Sequence, residues 1–98
     1  MTNELNISKS AYSMKKNYSL ISYILRGSRR KSVLITLKDP KIPKEIAEQC
    51  KISISNVSNT LPELSKKGLI TCRNPKDHYY KYYELTKKGK ELLEQLKL

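Results

Sequence analysis

The sequence predicts a mainly α domain with a small β-hairpin, and three observations support this. Between Lys51 and Ile70, KISISNVSNTLPELSKKGLI repeats Ile54, Val57, Leu61 and Leu64 at intervals of three and four, the stripe a helix buries. A second helical stretch, PKEIAEQC, ends just before it, leaving only Lys51 to Ser53 as a turn. Beyond Gly68, LITCR and YYKYYEL read as two strands around the turn NPKDH. The expected order is helix, helix, helix, turn, helix, hairpin, helix.

Each element has a local reason. Residues 1–17 hold few large apolar groups and end in KKN, so they read as a basic arm ahead of a domain spanning 18–98. From Tyr18, Leu20, Ile21, Ile24 and Leu25 define a first helix, which Gly27 stops; Ser28 is the expected N-cap of the next. In that helix Val33, Leu34 and Leu37 should face inward, and Ile42 should form a single residue of strand after the KDPK turn. Pro43 opens the third helix at the position where a missing N–H costs nothing, with Ile46, Ala47 and Cys50 inward. Gly68 supplies a left-handed cap to the fourth. In the second strand Tyr79, Lys81, Tyr83 and Leu85 share one side. Thr86 caps a last helix with the stripe Leu92, Leu93 and Leu96.

Bulk properties narrow the function. Ninety-eight residues make one small domain, and 20 Lys plus Arg against 9 Asp plus Glu give a formal net charge of +11. Such a balance points to nucleic acid or another anionic partner. No apolar run is long enough to span a membrane and no signal-peptide core is visible, so a cytoplasmic location is expected. Three Gly and one His leave no phosphate loop, nucleophile elbow or HExxH pattern, which argues against an enzyme. No cofactor is implied.

Two short helices joined by a tight turn and followed by a basic hairpin make a winged helix-turn-helix. Its second helix, about 53–67, has an unusual outer face of Ser55, Asn56, Ser58, Asn59 and Thr60 behind the cap Ser53. These are poor interior helix formers, so a purely solvated face would favour Lys and Glu instead. They are the residue types that read base edges and hold phosphates: Ser55, Asn56 and Asn59 are expected near bases, with Asn matched to adenine, and Ser53 and Thr60 near phosphates. Pro62 deletes the N–H bond to Ser58 and should kink the helix. Arg73, Lys76, His78 and Lys81 form the wing, about 72–81, and Arg29 and Arg30 belong to a second basic cluster, RGSRRK. Positive charge at that helix start opposes the macrodipole, an argument for an external anion. Tyr79, Tyr80, Tyr82 and Tyr83 could stack on bases or serve the strand; Tyr83 and Leu85 alternate toward the core.

The run PKEIAEQCKISISNVSNTLPELSKKGLI, the short hairpin and YYELTKKGKELL resemble winged helix-turn-helix regulators of the MarR/ArsR kind, closest to the short archaeal versions, over roughly residues 20–95. The resemblance implies a homodimeric transcription factor with helix 53–67 in the major groove and the wing on the backbone or adjacent minor groove. It also implies a dimer built by terminal helices. Three positions depart from the family pattern: Lys51 stands where glycine is common, Ile42 where Ser or Thr often caps, and Asn59 where many relatives carry arginine. Some ArsR-like relatives sense metals, but Cys50, Cys72 and His78 lack the ligand number and spacing of a zinc site. The expected function is sequence-specific binding of double-stranded DNA as a transcriptional regulator whose effector the sequence does not reveal. The alternatives are a nonspecific chromatin-type or RNA-associated basic protein and a protein-binding winged helix.

Overall fold

A computed structural model describes residues 17–97. The arm expected over residues 1–17 lies outside them except for Asn17. Five helices and one hairpin follow the expected order: α1 (Tyr18–Leu25), α2 (Ser28–Thr36), α3 (Pro43–Cys50), α4 (Ile54–Lys66), β1 (Ile70–Cys72), β2 (Tyr83–Leu85) and α5 (Lys87–Leu96). The strands pair antiparallel, with Ile70 opposite Leu85 and Cys72 opposite Tyr83.

One core joins all of these elements. Ile24, Val33, Leu34, Leu37, Ile46, Val57, Leu64 and Leu69 are essentially fully buried, and Leu85, Leu92 and Leu93 close the base. Burying such aliphatic side chains contributes about 1.5–3 kcal/mol each, which offsets the chain entropy a small domain loses. Leu92 and Leu93 therefore belong to the core, and Leu96 packs partly against it.

Several helix ends differ from expectation for identifiable reasons. The N-cap of α2 is Gly27, whose carbonyl accepts from the Lys31 N–H at 3.1 Å, so Ser28 is the first helical residue and caps nothing. The strand-like residue before α3 is Lys41: its N–H and C=O pair with Tyr83 at 3.0 and 2.9 Å. Ile42 has no group left for that ladder. Its N–H donates to Glu45 Oε1 at 3.1 Å and its C=O accepts from Ile46, making half of a capping box.

Lys51 ends α3 in the left-handed region, φ 57° and ψ 44°, the geometry the missing glycine would have adopted without cost. The chain then enters α4 through Ser53, whose Oγ accepts from the Asn56 N–H at 3.1 Å. Ile54, expected in the buried stripe, is 51% exposed. Ile52 takes its place: Ile52 and Val57, the N′ and N4 positions of a hydrophobic staple, both pack into the core. The helix continues through Pro62 to Lys66, and Gly68 follows at φ 75°.

Candidate nucleic-acid interface

A three-residue turn, Lys51 to Ser53, leads from α3 into the start of α4. Ser53, Ser55, Ser58 and Asn59 are exposed there, and Asn56 is half-buried. Thr60 is not part of this face. It is 4% exposed, and its hydroxyl donates to the Asn56 carbonyl at 2.7 Å, so the expectation that it meets phosphates fails. A Thr on a helix readily bonds back one turn, and here burial leaves that as its partner.

The two arginines of the RGSRRK cluster have separate fates. Arg29 is exposed and its Nη1 donates to Asn56 Oδ1 at 3.0 Å, linking α2 to α4. Arg30 turns back into the protein. Its Nη1 donates to the Tyr23 carbonyl at 2.8 Å, its guanidinium lies 3.9 Å from the Tyr23 ring centroid, and its Nε is 3.6 Å from Glu63. Arg30 is thus a brace between α1, α2 and α4, and the expected phosphate contact is lost to these partners. Burial raises the Tyr23 hydroxyl pKa, partly opposed by the Arg30 charge. Arg26, Gly27, Ser28, Arg29, Thr60 and Glu63 line an open cavity of about 340 Å³ beside the brace.

The wing is held by side chains rather than by a long ladder. The second strand was expected to run from Tyr79, but only Tyr83–Leu85 is regular. Asn74 explains much of the difference: its Nδ2 donates to the Tyr80 carbonyl at 2.7 Å and its Oδ1 accepts from the Tyr82 N–H at 2.8 Å. Asp77 accepts from the Tyr79 and Tyr80 amides at 2.8 and 2.9 Å, and those bonds lower its carboxyl pKa. Side chains satisfy the backbone that a strand partner would otherwise take.

Around this tip Arg73, Lys76, His78 and Lys81 are exposed, with Arg73 Nη2 3.2 Å from Glu84. Tyr79 and Tyr80 are exposed as well, whereas Tyr83 is half-buried against the core. Sequence reasoning treated Asn74 only as a turn residue. Its spacing from the Tyr run was the available signal, but which amides it would meet depends on the loop path.

Cys50 and Cys72 are free thiols, and burial raises the pKa of Cys50. Among the described residues no three His, Cys, Asp or Glu side chains gather as a metal site. No helix among them is long and apolar enough to cross a membrane.

Comparison with known proteins shows what this fold is similar to. No family model and no curated protein matches the sequence. Solved structures do. A double mutant of ZitR from Lactococcus lactis aligns with a TM-score of 0.63 at 27% identity, covering 72% of this chain and 51% of that one. The chain therefore spans about half the length of that structure. The Staphylococcus aureus MepR–DNA complex aligns with a TM-score of 0.68 at 22% identity, covering 95% and 80% of the two chains. The winged helix-turn-helix domain of Mb0332 from Mycobacterium bovis, described as homodimeric, DNA-binding and possibly of the ArsR family, gives 0.68 at 17% identity, covering 92% and 81%. The fold is a winged helix-turn-helix, shared with that possible ArsR-family regulator and with a MarR family transcriptional regulator from Silicibacter pomeroyi.

Proposed function

We propose that this protein binds double-stranded DNA sequence-specifically and regulates transcription, with α4 in the major groove and the wing on the backbone or minor groove. The observation that carries the reading is the face of α4: Ser55, Ser58 and Asn59 stand exposed on the second helix of a helix-turn-helix, where Lys and Glu would serve solubility better. Lys76, His78, Lys81 and Arg73 supply charge on the wing, displacing counterions and fixing register without reading sequence. A neighbour of the same fold solved on DNA supports this docking.

The active species is a homodimer, which matches a two-fold symmetric site. The homodimeric neighbour supports it. With Leu92 and Leu93 committed to the core, the most exposed large apolar side chains on the terminal helices, among the described residues, are Tyr18 and Leu25 of α1, 73% and 57% exposed and two turns apart.

Selection from a random duplex library tests the reading. Recovered duplexes should bind about 10³-fold or more tightly than a scrambled control at physiological salt. Equal binding of every duplex would replace it with nonspecific, charge-driven association. Failure to bind duplex at all would point to a protein partner for the α4 face.

A further inference from the structure

The bond between Arg29 and Asn56 changes what the α4 face recognises. The backbone of Asn56 is already committed: its N–H donates to Ser53 Oγ and its carbonyl accepts from Thr60 Oγ1. Arginine has only donors, so the side-chain amide must turn its oxygen to Arg29, and its NH₂ has no partner among the described residues. Arg29 keeps its other guanidinium N–H groups. Among the described residues it has no acidic partner, the ion pairs there being Arg30–Glu63 and Arg73–Glu84. It also sits in the first turn of α2, where a cation opposes the helix dipole. An exposed cation and an amide NH₂ with its donors free therefore lie side by side across two helices.

We infer that Arg29 and Asn56 form one donor-only unit that reads a guanine in the major groove. The inference rests on the proposed DNA-binding function and names the base for that site. Guanine presents two acceptors on its major-groove edge, N7 and O6, and the pair presents donors to both. Adenine presents one acceptor and one amino donor. An isolated Asn would satisfy adenine with its oxygen and NH₂ together, as the sequence alone suggested. Here that oxygen is engaged, and an adenine amino group would approach beside a cation. Arg29, which lies outside the recognition helix, thereby sets the specificity of a residue within it.

The experiment uses the full chain and the duplexes recovered by selection. Each guanine of a half-site is replaced in turn by adenine, by 7-deazaguanine, which lacks N7, and by hypoxanthine, which retains N7 and O6. At one position adenine and 7-deazaguanine should each weaken binding about tenfold or more, while hypoxanthine leaves it unchanged. Arg29→Met frees Asn56 Oδ1, so the guanine preference at that position should fall to within about twofold of adenine or reverse. Asn56→Ala should flatten the same position.

An enriched site read through adenine by the unaltered protein would overturn the inference and leave the proposed function standing. So would an Arg29→Met variant that weakens all duplexes alike and keeps the guanine preference, because Arg29 would then be a phosphate contact. A library with no enriched duplex would overturn the function itself.

Discussion

The backbone of Gly89 in α5 lies directly against the carbonyl of Leu69: a methyl group at Gly89 would overlap that oxygen. The same carbonyl accepts the Thr86 N–H at 3.0 Å, and the Thr86 hydroxyl donates to the Gly68 carbonyl at 2.6 Å while accepting from the Gly89 N–H at 3.1 Å. The end of α4, the start of β1 and the cap of α5 are thus a single joint with no room for a side chain. Gly89→Ala should destabilise the domain by about 1–3 kcal/mol, the usual cost of overpacking, despite the better helix propensity of alanine. Urea unfolding measures it; an unchanged midpoint would mean that α5 shifts freely on the hairpin.

Lys51 holds a left-handed conformation that an L side chain adopts at a cost of about 1–2 kcal/mol. Lys51→Gly should raise stability by about 0.5–1 kcal/mol after the extra entropy of glycine in the unfolded chain is deducted. In a domain of this size that is a rise of several degrees in Tm. A lower Tm would show that the lysine is held by something other than its backbone.

The neighbouring arginines Arg29 and Arg30 should separate cleanly. Arg30 braces Tyr23 and Glu63, so Arg30→Ala should cost about 1–2 kcal/mol of stability, mostly from its charged hydrogen bond to the Tyr23 carbonyl. Arg29 is exposed, and Arg29→Ala should stay within about 0.5 kcal/mol of the unaltered protein while weakening DNA binding. Thermal melts and duplex titrations on the two variants check the contrast. Equal stability losses would contradict it.

The wing tip carries a pH dependence through Asp77. Bonds from the Tyr80 and Tyr79 amides favour its carboxylate and hold its pKa below the ordinary 3.8. A folded pKa below the unfolded one means the contribution is complete above the unfolded value and disappears as pH falls through the folded one. The Tyr79 and Tyr80 amide resonances should therefore stay constant from neutral pH to about pH 5 and move only below the ordinary carboxylate range. Asp77→Asn should remove that titration. Amide shifts moving well above the ordinary carboxylate range would assign the wing's order to another group.

Most of the fold was legible because its signals are local. Pro43, Ser53, Gly68 and Thr86 each mark a helix end by their own chemistry, and Val57, Leu61 and Leu64 mark the buried face of α4 by spacing. What the sequence missed depends on partners distant along the chain. Ile54 fits the helical stripe but lies at the first turn, beyond the reach of α3, and Ile52 packs instead. Thr60 sits beside the polar face in sequence, yet it is buried and its hydroxyl bonds back to the Asn56 carbonyl. Nothing in RGSRRK distinguishes Arg29 from Arg30 until α1 and α4 stand on either side. Asn74 clamps amides whose positions only the folded wing defines.

Asn59→Ala and Lys76→Ala together separate the reading of base edges by α4 from the charge supplied by the wing. Both residues are exposed, so neither substitution should disturb the fold. Each variant is titrated with the selected duplex and a scrambled duplex across a salt series. Asn59→Ala should lower the ratio of the two affinities about fivefold or more and leave the salt dependence unchanged. Lys76→Ala should weaken both duplexes about equally, preserve the ratio and reduce the slope of log K against log salt by about one. If Asn59→Ala and Asn56→Ala both leave the ratio intact, or weaken both duplexes equally, α4 does not read sequence and binding is driven by charge alone.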